Sequence, residues 1–171
     1  MDQALRSPDG HASGNLSDEL YLNISCDDKY WSADLPAIEN TSSRIRFVAE
    51  IQIGEVEIES IEVSSKVQRK GIGSLLFAGM LEIVRVMNCE LVEQGNPPIR
   101  LIYGELRPYD PPYDQYEKSI PFYMKQAALH NLDIQFYEED NDTFQKRDIS
   151  FEEALGFIDT FKCGGFQYSF K

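Results

Sequence analysis

The sequence predicts an α+β fold, with a mixed, largely antiparallel central sheet and flanking helices in one domain. Three observations predict it. Apolar residues alternate between Ile45 and Val63, as in half-buried strands. A helical stripe follows at Ile72, Leu75, Leu76, Met80, Ile83, Val84 and Met87, stepping by 3, 1, 4, 3, 1 and 3 residues. Strand-like and helix-like segments then alternate to the end of the chain, without an internal repeat. At 171 residues, with 42% apolar and 12% aromatic content, the chain can bury a core without disulfide or metal staples.

Residues 1–18 carry Ser, Asp, Gly, Asn and Pro with almost no apolar periodicity, so a disordered tail is expected there and a single domain over 19–171. Residues 20–26 read as a first strand. Between Lys29 and Ser43, the spacing of Trp31, Leu35 and Ile38 suits a short helix, which Pro36 and the polar run at 40–43 interrupt. Ile45, Phe47, Ala49, Ile51 and Ile53 share one strand face, and Gly54 predicts a hairpin into a second strand over 56–63. Gly95-Asn96-Pro97-Pro98 ends the long helix, and residues 99–106 read as a buried strand. After a Pro/Tyr/Asp loop at 107–114, Ser119 reads as an N-cap with Pro121 in the first turn. Ile120, Tyr123, Met124, Ala127 and Ala128 give that helix its inner face, and His130-Asn131 closes it. A strand over 132–137, an acidic loop, a short helix over 151–158 and a last strand over 166–170 complete the order.

The net charge of −13 argues against nucleic acid, where Lys and Arg neutralise phosphates. It favours a cationic substrate or a basic partner through steering, or serves solubility alone. No apolar run approaches membrane-spanning length, and the first 19 residues are unlike a secretory signal, so no membrane association is expected. Cys26, Cys89 and Cys163 are odd in number and widely spaced, which suits reduced thiols and a cytoplasmic location. With only two histidines, no metal is expected.

The stretch Gln68-Arg69-Lys70-Gly71-Ile72-Gly73 stands between a strand and the long helix. A glycine-containing turn opening a helix directs free backbone N–H groups and the positive end of the helix dipole at one point. Arg69 and Lys70 add two cations there, so the element reads as a pyrophosphate cradle. There is no Gly-Lys-Ser/Thr, which excludes a P-loop, and no third glycine at position 76, which excludes the dinucleotide fingerprint.

This stretch, following Ile58-Glu59-Ser60-Ile61-Glu62-Val63 and followed by Ser74-Leu75-Leu76, resembles the acetyl-CoA motif of the GNAT N-acyltransferase superfamily, Gln/Arg-x-x-Gly-x-Gly/Ala. Ser119-Ile120-Pro121-Phe122-Tyr123-Met124-Lys125 is similar to the family's second helix, in which a Tyr follows a small residue by four. The resemblance covers residues 45–137. It implies an acetyl-CoA-dependent N-acetyltransferase, with the cofactor's pyrophosphate on the amides of Arg69, Lys70, Gly71, Ile72, Gly73 and Ser74 beside Gln68. The pantetheine arm would pair like an extra strand along Ile61 and Val63, both of which also suit ordinary core. Members place a strand and two helices before the hairpin; about 25 residues remain for them here, so these helices are expected to be shortened. The acceptor site would then be open, or completed by the last helix and loop or by a second subunit, as in a homodimer.

Acyl transfer to an amine needs a proton acceptor for the ammonium and a proton donor for the leaving thiolate. Tyr123 stands where the family places that acid; alternatively it packs in the core. Glu57, eleven residues before Gln68, matches a Glu of some histone-acetylating members, and Glu59 or a water is the alternative base. Both glutamates also suit solvated charges of an acidic segment. Glu105 could hold the acceptor amine and Tyr103, Tyr109 and Tyr113 could wall its site, a combination suited to a cation. Cys163 reads as a turn-flanking thiol. The expected acceptor is a primary amine of a cationic small molecule or a lysine or peptide amine. The alternative from another class is a catalytically inactive acyl-CoA-binding regulatory or interaction module.

Overall fold

The computed structural model describes residues 4–5, 20–21, 23–27, 30–38, 41–106, 116–140, 143, 145–156 and 163–171, and within them the chain forms ten strands and three α-helices. Contacts gather the chain into two units, residues 1–49 with 59–98 and residues 50–58 with 99–171.

In the first unit, β1 (Ala4–Leu5) pairs antiparallel with β2 (Leu20–Tyr21); the remainder of residues 1–18 lies outside the described residues. Strands β3 (Asn23–Asp27), β4 (Tyr30–Ile38) and β5 (Thr41–Glu50) then form an antiparallel meander. The short helix expected between residues 29 and 43 is therefore a strand. Tertiary pairing overrides the helical spacing: Trp31 lies opposite Phe47, with ring centroids 6.3 Å apart, a cross-strand aromatic contact that stabilises a sheet. Pro36 falls where the register shifts between Leu35 and Ile38, a bulge being one of the few places a strand accepts proline. Ile45, Phe47 and Ala49 are buried, as their alternation predicts.

The later part of β6 (Glu55–Glu62) belongs to this unit and leads through a 3₁₀ turn at Ser65–Val67 into α1 (Ile72–Glu93). The expected stripe is the buried face of α1, extended by Phe77 and Leu91, while Leu75 is half-buried. This face packs against β4. At the end of α1, the N–H groups of Gly95 and Asn96 donate to the carbonyls of Val92 and Leu91 at 3.0 and 2.8 Å, satisfying two last-turn acceptors.

The second unit begins at Glu50, the last residue of β5, and continues into the turn that follows. Ile51 and Ile53, expected to continue the strand, lie in this turn and are 43% and 62% exposed. The Gly54 N–H donates to the Glu50 carbonyl at 3.0 Å, which reverses the chain before the alternation ends. The first half of β6 then pairs in parallel with β7 (Leu101–Leu106). After α2 (Tyr116–His130), β8 (Leu132–Glu139), β9 (Lys146–Ile149) and α3 (Phe151–Leu155), β10 (Cys163–Phe170) inserts antiparallel between β7 and β8. The strand order is β6-β7-β10-β8-β9, a mixed sheet.

Three expectations are corrected in this unit. Helix α2 starts at Tyr116, so Ser119 is not its N-cap and Pro121 lies inside the helix, where its missing N–H forfeits one intrahelical bond. Strand β9 occupies part of the expected acidic loop; Lys146, Arg147 and Asp148 are polar and exposed, so no apolar alternation announced it. Arg147 fastens it by ion pairs to Glu138 at 2.7 Å and Glu153 at 3.2 Å. Strand β10 begins three residues before Phe166 and includes Cys163, read as flanking a turn. Asn131, at φ 54°, closes α2 as expected. A reciprocal pair of bonds between Ser150 and Glu153 caps α3.

One face of this sheet is apolar: Val56, Ile58, Ile102, Leu106, Phe136, Phe166 and Tyr168 are all buried, and α2 packs on it at β8. The opposite face carries Glu57, Tyr103, Glu105, Gln135 and Gln167. Among the described residues, no helix is long and apolar enough to cross a membrane.

Candidate functional site

In the first unit, the residues read as a cofactor cradle form one turn between strand and helix. The Gln68 side chain folds back and donates from Nε2 to the Val63 carbonyl at 3.2 Å, tying the turn to the end of the strand. Val67 is buried and anchors it from below. Arg69 and Gly71 both adopt left-handed backbone, at φ 63° and 82°. For Gly71 this conformation is natural; for Arg69 it costs roughly 1 kcal/mol. Gly71 caps α1, and the first intrahelical bond runs from the Leu75 N–H to the Gly71 carbonyl at 3.0 Å. Helix geometry therefore leaves the N–H groups of Ile72 and Gly73 without intrahelical acceptors.

The surroundings suit an anion. The first turn of α1 holds no acidic residue, and no side chain caps it. A Cβ built on Gly71 meets no atom within 4 Å, so there is open space over the turn. Gln68, Arg69, Lys70 and Gly71 are exposed, Gly73 and Ser74 half-buried, and Ile72 buried with its side chain turned to the core. Ile61 and Val63 are half-buried rather than core, and Glu59 is exposed on the same strand. These residues fit a group that brings a pyrophosphate.

In the second unit, the register of the sheet sets Glu57 opposite Tyr103, Tyr103 opposite Gln167, and Gln167 opposite Gln135. The four side chains form a row across the polar face. The Tyr103 hydroxyl donates to Glu57 Oε2 at 3.4 Å, and Gln167 Nε2 donates to Gln135 Oε1 at 3.2 Å. The next row sets Glu105 opposite Gly165 and Gly165 opposite Tyr137. Burial, then the charges of Glu57 and Glu55, push the Tyr103 phenol up to about 12. Burial, then the charges of Glu105 and Glu139, push Tyr137 up to about 12 as well. Both phenols are protonated donors at neutral pH, on a face with a surplus of carboxylates.

Tyr123 lies elsewhere. It is the eighth residue of α2, on the apolar side of the sheet, stacked on Phe166 at 3.8 Å between centroids. The Tyr168 hydroxyl donates to its carbonyl at 2.9 Å. Burial of the Tyr123 hydroxyl pushes its phenol well above the ordinary range, so it keeps its proton at any physiological pH. The second unit thus groups Glu57, Tyr103 and Glu105 on one face and puts Tyr123 on the other. Tyr109 and Tyr113 lie outside the described residues.

Sequence reasoning missed Tyr137 and Gly165. The signal was present in Cys163-Gly164-Gly165-Phe166: glycine within a strand marks a close approach. A Cβ on Gly165 would run into the Tyr137 hydroxyl and stand 2.6 Å from the Gly104 carbonyl, so only glycine lets the Tyr137 ring lie across the sheet.

No family profile matches the sequence. No curated protein matches it either. Solved structures do match in fold. Nourseothricin acetyltransferase superposes with a TM-score of 0.50 at 12% identity, over 98% of this chain and 82% of that one. Ard1 from Thermoplasma volcanium gives 0.49 at 14% identity, over 84% and 72%. An acetyltransferase assigned to the GNAT family from Desulfovibrio desulfuricans gives 0.48 at 13% identity, over 82% and 69%. The chain shares its α+β fold with nourseothricin acetyltransferase.

Proposed function

We propose that this chain is an acetyl-CoA-dependent N-acetyltransferase acting on a primary amine of a cationic acceptor, either a small molecule or a lysine or peptide amine. The observation that carries the reading is the turn at 68–74: two left-handed residues, two exposed cations, open space over Gly71 and a helix start with no side-chain cap and no acidic residue. When bound there, acetyl-CoA supplies the activated acyl thioester. The amides of Ile72 and Gly73, with Arg69 and Lys70, would hold its pyrophosphate, and the backbone at Ile61, near the end of β6, and at Val63, just beyond it, would orient its arm.

Tyr123 Oη carries its proton at neutral pH and is assigned as the donor to the leaving thiolate; the burial that raises its pKa also makes it a weaker acid than a free phenol. Glu57, or Glu59 or a water in its place, takes the proton from the acceptor's ammonium, and the neutral amine that results attacks the thioester carbonyl. Tyr103, bonded to Glu57, and Glu105 attract a cationic amine to the polar face. Isothermal titration with CoA tests the reading: absence of binding at millimolar ligand overturns it, and Gly71→Asp should abolish binding in a chain that still unfolds cooperatively.

A second reading, a CoA-binding module without turnover, is favoured by the packing of Tyr123 against Phe166 on the face opposite Glu57. Tight CoA binding with no acetyl transfer to any amine, peptide or polyamine would select it.

A further inference from the structure

The polar face of the second unit already holds an ammonium. Lys146 Nζ lies 4.5 Å from the centroid of the Tyr137 ring, in cation–π contact. It reaches there diagonally, since Tyr137 pairs with Asp148 and Lys146 stands two residues before it on β9. The ring is buried, while the lysine is an exposed residue on a strand of four. Tyr137 lies flat because Gly165 beneath it has no side chain. The same phenol feels the charges of the Glu105, Glu139 and Glu57 carboxylates. Two residues along β8 from Tyr137, Gln135 begins a groove of about 320 Å³ that Leu101, Asp133, Gln167 and Ser169 also line, Asp133 being paired with Lys171 at 3.2 Å.

We propose that the Tyr137 ring, laid over Gly165, is the seat for the acceptor's ammonium, and that Lys146 occupies this seat until a cationic acceptor displaces it. Tyr137 then determines specificity for charged over neutral acceptors, and the groove takes the chain attached to the ammonium. The inference rests on the reading of this protein as an acetyltransferase for cationic amines. An aromatic face with carboxylates around it selects an ammonium by charge and polarisation, and a neutral alcohol gains neither. A tethered lysine competes at high local concentration, so its removal strengthens binding of an external cation.

The test is isothermal titration of the full chain with spermidine, with the neutral 1,8-octanediol as control. Lys146→Met should tighten spermidine binding by about threefold or more, and Tyr137→Leu should weaken it by about tenfold. Tyr137→Phe, which keeps the ring, should stay within about twofold of the wild type. Octanediol should respond to none of these changes. Near-UV circular dichroism confirms folding, and Lys146→Met, at an exposed position, keeps the test decisive if Tyr137→Leu does not fold. Spermidine binding that is unchanged in Lys146→Met overturns this inference and leaves the cationic-acceptor reading standing. CoA binding with no spermidine binding in any variant overturns both.

Discussion

Tyr123 and Phe166 stack with ring centroids 3.8 Å apart and planes inclined by 27°. Phe166 in turn covers Gly104, whose absent Cβ would stand 2.6 Å from the Phe166 ring edge. Helix α2 is thus keyed to the sheet through an aromatic column that only glycine at 104 admits. The column fixes where the Tyr123 hydroxyl sits, and the desolvation that raises its pKa follows from the same packing.

The roles of ring and hydroxyl can be separated at Tyr123. Tyr123→Phe keeps the stack, so the melting temperature should move little. Turnover should fall by roughly ten- to a thousandfold with acetyl-CoA affinity unchanged, as for loss of one general acid. Tyr123→Leu removes the stacking partner and should lower stability by about 1–3 kcal/mol as well. Full activity in Tyr123→Phe would remove the hydroxyl from the mechanism.

Gly104→Ala should destabilise the second unit by about 1–3 kcal/mol, because the added methyl overpacks the Phe166 ring. Combining it with Phe166→Leu should cost less than the sum of the single changes, since both act on one contact. Strict additivity in denaturant unfolding would show that the column is not the constraint.

The sequence made the cradle legible because its chemistry is local. Strand, turn and helix are contiguous, and Gly71 had to be glycine for backbone reasons alone. The polar face was half legible. Glu57, Tyr103 and Glu105 show strand alternation, but their neighbours Gln167 and Tyr137 come from strands more than 30 residues further along the chain, joined only by register. Between residues 29 and 43 the spacing of Trp31, Leu35 and Ile38 suits a short helix, whereas the stacking partner of Trp31, which decides for a strand, sits on another strand. Strand β9 escaped notice since an exposed edge strand needs no apolar alternation.

The strain at Arg69 yields an opposed pair of effects. Arg69→Gly relieves a left-handed backbone and should change stability by less than about 1 kcal/mol in either direction, because greater unfolded-chain entropy offsets the relief. CoA affinity should nevertheless drop, since one of two cations is lost. Gly71→Ala meets no steric obstacle in space but should cost about 1 kcal/mol in backbone strain. Unchanged CoA affinity in Arg69→Gly would remove that side chain from the cradle.

Alkaline titration tests the polar face. Folded Tyr103 and Tyr137 titrate near 12, above the ordinary phenol value near 10, so both bind their protons more tightly in the folded state. Their contribution to stability is therefore complete below about pH 10 and is lost as pH rises from there through about 12. Glu57→Gln removes a neighbouring negative charge and should bring the Tyr103 transition down toward 10, read by phenolate absorbance. No movement of that transition would mean that the 3.4 Å contact with Glu57 does not persist in solution.

The carboxylate surplus of the polar face predicts how an acceptor amine arrives. With 29 acidic against 16 basic residues, the chain should attract a polycationic amine over distance, raising the encounter rate. Exposed charges are screened beyond about 8 Å at physiological ionic strength, so kcat/KM for such an acceptor should fall several-fold as salt is raised from low to physiological concentration. The kcat should stay level, because screening acts on encounter rather than on chemistry. Glu105→Gln, at an exposed position on the same face, should flatten the salt dependence without altering CoA binding. An acceptor screen at two salt concentrations measures this directly. If the best acceptor is neutral or anionic, or if the rate with a cationic one ignores salt, the charge of this face plays no part in choosing the substrate.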